Sequence, residues 1–309
     1  MPRIVAITGG VGGAKLALGL AHQLGPDEVT FAVNTGDDFT HLGLEICPDI
    51  DTLAYTLAGL ANPETGWGRE GESWQFMGAL EALGGETWFR LGDRDLAVHV
   101  RRTQLLAGGA TRTEATRVIA AALGARHQIL PMSDDPVRTL VHTADGPLAF
   151  QHYFVRDRCE PEVTGFEFAG IDTARPNPAI LAAIEAADGI VICPSNPFVS
   201  VDPLLNLPGM RAALRNATAP VVAVSPIVGG TAIKGPTAKM MRELQVPATA
   251  HQVAAHYGDL LDGFVLDEQD RALHGTLDVP TVVTQTVMLT LQDRIDLARH
   301  TLEWIGTLR

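Results

Sequence analysis

The stretch "IVAITGGVGGAKLALGL", residues 4–20, constrains this chain more than any other. Ile4 to Thr8 is an apolar, β-branched run that reads as a buried strand. Gly9, Gly10, Gly12 and Gly13 follow, and apolar residues then recur at helical spacing over Gly13–Leu24. A second apolar run, Val29 to Val33, ends in Asn34. Strand, glycine loop, helix and strand make a βαβ unit, which implies a parallel pair with a right-handed crossover. Glycines let the backbone turn sharply and approach a ligand closely. The next helix offers unpaired N–H groups and a positive dipole end to an anion. A ligand-free turn is the plainer reading, but the loop holds more glycine than a turn needs.

The loop fits neither common phosphate template. Counted from Gly9 against the mononucleotide pattern G-x-x-x-x-G-K-[ST], Ala14 replaces the second glycine. Lys15 is in place, but Leu16 stands where a Mg²⁺-ligating hydroxyl belongs. Against the dinucleotide pattern G-x-G-x-x-G/A, Lys15 falls on the third glycine, and Asn34 stands where an acid would hold a ribose. These mismatches argue against a P-loop ATP site and an NAD oxidoreductase.

The alternation resumes late in the chain. Helices are expected over Ile180–Ala187, Met210–Asn216, Thr237–Leu244 and 289–307. Strands are expected over Gly189–Cys193, Val221–Ser225, Phe264–Leu266 and Thr281–Val283. Continuous apolar strands such as "GIVIC" and "PVVAV" suit a parallel sheet covered on both faces. Between the two parts, Asp51–Leu60, Trp74–Leu83, Leu96–Leu106 and Glu114–Leu123 read as helices. "TLVHTADGPLAFQHYFV" reads as a hairpin about Asp145-Gly146. The fold class is therefore α/β: a doubly wound, Rossmann-like, mostly parallel sheet in one unit over 1–309. A helical and β-hairpin insertion at roughly 45–175 forms a smaller subdomain. The last helix is amphipathic and faces a core or a dimer partner.

A net charge of −13 over 309 residues argues against a nucleic-acid surface. It also means that any phosphate site must gather local positive charge from a bound Mg²⁺ and a few basic residues. Cys47, Cys159 and Cys193 show no metal or redox spacing, so a reduced, cytoplasmic setting is expected. No signal peptide and no membrane span are expected.

In an open α/β sheet, ligands bind beyond the C-terminal ends of the strands. The polar residues gather at those ends: the glycine loop, "NTGDDF" with Asp37 and Asp38, "CPSNPF" with Ser195 and Asn196, and "SPIVGG". Such residues form turns anyway, but several such loops at one rim favour a shared nucleotide-sized site. "CPDIDTLAY" sets Asp49 and Asp51 at a helix start, where Asp49 fits an N-cap role. "FRLGDRDLAVH" clusters Arg90, Asp93, Arg94, Asp95 and His99, and "LPMSDDPVRT" offers Asp134 and Asp135 as a turn or a Mg²⁺ site. No motif points to covalent catalysis by Ser or Cys.

Taken in order, "GGVGGAKL", "VNTGDDF", "CPDIDTLAY", "RLGDRD", "LPMSDDPVRT", "PSNPFVS", "LPGM" and "VSPIVGG" resemble the 2-phospho-L-lactate transferase family of coenzyme F-420 biosynthesis, which includes the phosphoenolpyruvate transferases. The resemblance implies a Mg²⁺-dependent, homodimeric enzyme. Its acceptor would be the deazaflavin Fo. Its donor would be a guanosine diphosphate conjugate of lactate or enolpyruvate, and GMP would leave. By matching motifs, Asp51 and Arg90 would contact Fo, and Asp51 would be catalytic or a metal ligand. Gly10, Gly12, Gly13, Lys15, Asn34, Ser195 and Asn196 would lie nearer the donor's nucleotide and phosphates. Trp67, Trp74 and Trp88 could cover the acceptor's aromatic tricycle or simply pack. A related family of nucleotide-sugar-binding regulators of gluconeogenic growth, which are not enzymes, shares the "TGG" opening and is the alternative.

Overall fold

The computed structural model describes residues 3–308. β1 (Ile4–Thr8), α1 (Gly10–Gln23) and β2 (Val29–Val33) form the βαβ unit. The helix begins at Gly10, about a turn earlier than its apolar pattern. A small hairpin, β3 (Phe39–His41) with β4 (Leu44–Ile46), precedes α2 (Pro48–Leu57), α3 (Gln75–Ala82), α4 (Asp93–Ala107) and α5 (Arg112–Leu123). β5 (Gln128–Pro131) then leads into β6 (Arg138–Thr143), β7 (Gly146–Ala149) and β8 (Gly165–Ala169). The remainder runs α6 (Pro178–Glu185), β9 (Gly189–Ile192), α7 (Asp202–Leu205), α8 (Met210–Arg215), β10 (Val221–Val224), β11 (Ile227–Val228) and β12 (Thr231–Ala232). It closes with α9 (Thr237–Glu243), α10 (Ala250–Tyr257), β13 (Gly263–Asp267), β14 (Thr281–Thr284) and α11 (Leu291–Ile305).

The central sheet has seven strands in the order β14-β13-β10-β9-β1-β2-β5, all parallel. Alternate residues feed two cores, as a strand's two-residue period requires. Val5, Ile7, Ile190 and Ile192 face one layer, and Ile4, Ala6 and Val191 face the other. The winding direction reverses between β1 and β9, so the crevice beyond their C-terminal ends is the expected ligand site. α11 seals one flank of α1, and a Cβ at Gly19 would overlap the Arg294 carbonyl. The last helix thus buries Leu297, Ala298, Thr301 and Ile305 in the core.

The segment between 45 and 175 is threaded through the central sheet once, at edge strand β5. That strand and the hairpin β3–β4 are too short to show a clear period in the sequence. The later hairpin turns one residue earlier than expected: Thr143 pairs with Gly146, leaving Ala144 and Asp145 as the loop. Its second arm stops at Ala149, and residues His152–Arg156 wind into a helical turn. β8 supplies the strand that the arm was expected to be, pairing with β6 on its other side.

Candidate active site

A cavity of about 660 Å³ opens at the predicted crevice. Its floor comes from the strand ends: Gly10, Gly12 and Lys15 from α1, Asp37 after β2, Asp49 from α2, and Ser195 and Asn196 after β9. One wall is aromatic, with Trp67, Trp88, Phe89, Phe150 and Phe154. Trp88 touches Phe89 and His152 (ring centroids 5.7 and 4.8 Å), and Phe150 stacks on Phe154 at 5.4 Å. Gln151 ties this wall to the floor by donating to the Asp37 carbonyl at 3.3 Å.

The glycine loop is held from within. The Gly10 amide donates to Asp49 Oδ1 at 2.7 Å, and the Gly9 amide donates to Ser195 Oγ at 3.2 Å. Gly10 has φ +62°, a left-handed conformation that favours glycine. Gly12 lies where a Cβ would be 2.5 Å from the Pro194 carbonyl. A Cβ at Gly13 would collide with Thr8 Oγ1 and Ser195 Oγ. Gly13 is therefore absent from the cavity wall; it lets α1 approach the loop after β9.

Asn34 is fully buried behind the floor. Its Nδ2 donates to Asp49 Oδ2 at 2.9 Å and to the Val199 carbonyl at 3.2 Å, and its Oδ1 accepts from the Gly36 amide at 2.8 Å. Its amide positions Asp49, and both Nδ2 protons are committed, so no donor is left for a ligand. Asn196 lines the cavity while its Oδ1 caps the next turn at Phe198 (3.0 Å).

The adjacent acids of "NTGDDF" take different roles. Asp38 turns inward to Arg112, whose Nη1 donates to it at 2.7 Å. Asp37 faces the cavity, and its Oδ1 is buried without a partner. Burial pushes the Asp37 carboxyl well above its usual range, and Asp49 adds to the push. Burial likewise raises Asp49 to about 6, against the opposing pull of the Asn34 and Gly10 hydrogen bonds. Two buried carboxylates that repel each other at one floor fit a divalent cation.

Asp51 stands off the main cavity. It lines a side pocket of about 60 Å³ that shares Pro48, Thr52, Trp67 and Phe89 with the larger one. Arg102, itself buried, donates to Asp51 Oδ1 and, at 3.1 Å, to the Glu45 carbonyl. Arg102 Nη1 lies 3.1 Å from His99 Nδ1. A guanidinium only donates, so Nδ1 accepts and the His99 proton sits on Nε2, facing Asp95 at 3.2 Å. Asp95 also accepts from the Tyr55 hydroxyl at 2.5 Å. Burial raises the Asp51 carboxyl, and Arg102 opposes it. Asp51, Asp95 and His99 are spaced to hold a metal. Within that set Arg102 already neutralises Asp51.

Arg90 lines the cavity with its guanidinium 4.3 Å from the Trp74 ring centroid, so Trp74 props Arg90 rather than the cavity. Asp134 and Asp135 are turn residues. Asp134 accepts from the Thr113 amide at 2.7 Å, and Asp135 accepts from the Arg175 amide at 2.9 Å. Sequence reasoning gave Asp49 only a capping role and passed over Lys234 and the Phe150–Phe154 turn. The acid spacing of "NTGDDF" and "CPDID" carried a signal for the floor. A lone lysine in "AIKGPT" carried none.

Solved structures of similar shape include a protein member of the UPF0052 family from Bacillus halodurans. It has TM-score 0.63 at 17% identity, covering 98% of this chain and 100% of that one, a likeness of fold alone. A phosphoenolpyruvate transferase of Kitasatospora aureofaciens is 42% identical over 298 residues, 94% of this chain and 93% of that protein. A 2-phospho-L-lactate transferase of Methanosarcina mazei is 39% identical over 269 residues, 87% of this chain and 88% of that protein. The family profile described as 2-phospho-L-lactate transferase CofD matches residues 4–285. With that match laid over the glycine loop, the acid floor and the aromatic wall, the chain belongs to the CofD family of 2-phospho-L-lactate and phosphoenolpyruvate transferases.

Proposed function

We propose that this transferase joins a phospholactyl or enolpyruvyl phosphate group to the ribityl hydroxyl of the deazaflavin Fo. The donor is the corresponding guanosine diphosphate conjugate. The observation that carries this reading is one cavity with an aromatic wall and a charged floor, large enough for two substrates. The deazaflavin ring lies against Trp67, Trp88 and Phe89, with Arg90 at its polar edge. The donor's diphosphate lies beside the glycine loop, Ser195 and Asn196, and the unit to be transferred points toward Lys15.

The acceptor hydroxyl oxygen bonds to the distal phosphorus. The bond from that phosphorus to the bridging oxygen breaks, its electron pair leaves with GMP, and a phosphodiester remains. The hydroxyl proton passes to Asp51, whose Oδ2 accepts no hydrogen bond and whose side pocket adjoins the cavity. Asp37 and Asp49 would hold Mg²⁺, which when bound would supply charge neutralisation for the diphosphate. Phosphoryl transfer relies on positioning and electrostatics, so no covalent nucleophile is required. A homodimeric, cytoplasmic enzyme follows from the same family reading. Among the described residues no helix is long and apolar enough to cross a membrane.

The test is a titration with Fo followed by its fluorescence, with and without GDP and Mg²⁺, and then turnover with each donor conjugate. Fo binding strengthened by GDP, with GMP released stoichiometrically, is expected. Absence of Fo binding together with tight binding of a uridine diphosphate sugar would overturn the reading.

A further inference from the structure

Lys15 and Lys234 both line the cavity, and each ammonium bonds a backbone carbonyl. Lys15 Nζ donates to Met288 at 2.9 Å, and Lys234 Nζ donates to Thr65 at 3.0 Å. An ammonium carries three donors, so each keeps donors unused. Among the described residues, neither pairs with a carboxylate within the 4.0 Å of an ion pair. Arg294, in the first turn of α11, lies outside the cavity lining, and its Nε is buried without a partner. Burial lowers the pKa of Lys15, and the charges of Arg294 and Lys234 lower it further. In a chain of net charge −13, mutually repelling cations on a cavity wall mark a place for an anion.

The donor in the proposed function, on which this inference rests, carries two anionic parts: its diphosphate and the carboxylate of the unit transferred. The Asp37–Asp49 floor serves the first. Lys15 lies five residues along α1 from Gly10, or about 7.5 Å of helix rise, and its ammonium is drawn to the Met288 carbonyl. Other groups are committed elsewhere. The Gly9 and Gly10 amides bind Ser195 and Asp49, and Arg90 is stacked on Trp74. We propose that Lys15 and Lys234 hold the carboxylate of the transferred three-carbon unit, with Lys234 exchanging the Thr65 carbonyl for this charged acceptor. The exchange replaces an ammonium–carbonyl bond with a full ion pair on a partly enclosed wall, where the attraction of opposite charges favours it.

The test uses Lys234→Met and Lys15→Met in the full chain. Calorimetry with Mg²⁺, in the absence of Fo, measures binding of GDP and of each donor conjugate. GDP affinity is expected to stay within about twofold, and conjugate affinity to fall about tenfold, the weight of roughly 1.4 kcal/mol. Lys234→Arg should recover part of the loss. If GDP and conjugate weaken equally, the lysines read the diphosphate and the inference is overturned. Unchanged conjugate affinity overturns it as well. A wild-type protein that binds neither GDP nor conjugate would instead remove the transferase reading itself, which separates the two failures.

Discussion

Asp49 and Asp51 stand two residues apart on α2 and face different chambers. Successive residues on a helix are about 100° apart, so the two side chains diverge by roughly 200°. Asp49 meets the Gly10 amide and the Asn34 side chain at the cavity floor. Asp51 meets Arg102 and His99 beside the smaller pocket. Their chemistry should therefore separate on mutation.

Asp49→Asn should abolish Mg²⁺-dependent turnover, with a loss on the order of 100-fold, as expected when a charge-stabilising group is lost. The new amide would also set a donor against Asn34 Nδ2, so a modest fall in melting temperature is expected. Turnover measured across a Mg²⁺ titration checks this. Wild-type Mg²⁺ dependence in the variant would refute the floor as the metal site.

Asp51→Asn should leave GDP affinity intact, because Asp51 is not on the floor, while cutting turnover sharply. It should also destabilise the fold by about 3–5 kcal/mol, since Arg102 would remain buried with its charge uncompensated. Thermal unfolding and GDP calorimetry on one preparation check both halves. Asp51→Asn with Arg102→Met should recover melting temperature without recovering activity.

The Asp49 carboxyl is raised to about 6 by burial. The folded protein therefore holds that proton more tightly than the unfolded chain. Without metal, stability falls as pH rises from the ordinary carboxylate range toward 6 and levels off above it. Mg²⁺ needs the ionised carboxylate, so its stabilisation runs the other way. The Mg²⁺-induced rise in melting temperature should be full near pH 7.5 and nearly gone at pH 5. A shift independent of pH over that range would contradict the assignment.

Trp88→Ala should raise the KM for Fo by roughly five- to tenfold, from about 1 kcal/mol of lost aromatic contact. The KM for the donor should be unchanged. Equal effects on both substrates would place Trp88 in general packing of the cavity.

Much of this arrangement was legible in the sequence. The βαβ opening and the buried runs "GIVIC" and "PVVAV" fixed a parallel sheet because continuous apolar strands need cover on both faces. The polar loops mapped to one rim because parallel strands all end on the same side. What remained hidden depends on side-chain direction and on distant pairing. Asn34 reads as a ligand-facing residue from its place after β2, but its amide is consumed by Asp49, Gly36 and Val199. Gly13 reads as part of a phosphate loop, but it serves the contact with Thr8 and Ser195. The turn that brings Phe150 and Phe154 to the cavity follows an arm whose residues favour a strand, so tertiary contact overrides local preference there.

The cavity's two surfaces come from separate stretches of chain. The floor belongs to the loops at the reversal of the sheet, and much of the aromatic wall belongs to residues 88–90 and 150–155. One tie between them is the bond from Gln151 to the Asp37 carbonyl, made to backbone and so independent of the floor's side chains. The wall can therefore change its shape and chemistry while the floor keeps its acids and glycines. A scaffold partitioned in this way can be retuned on its aromatic side while its charged side is left as it is.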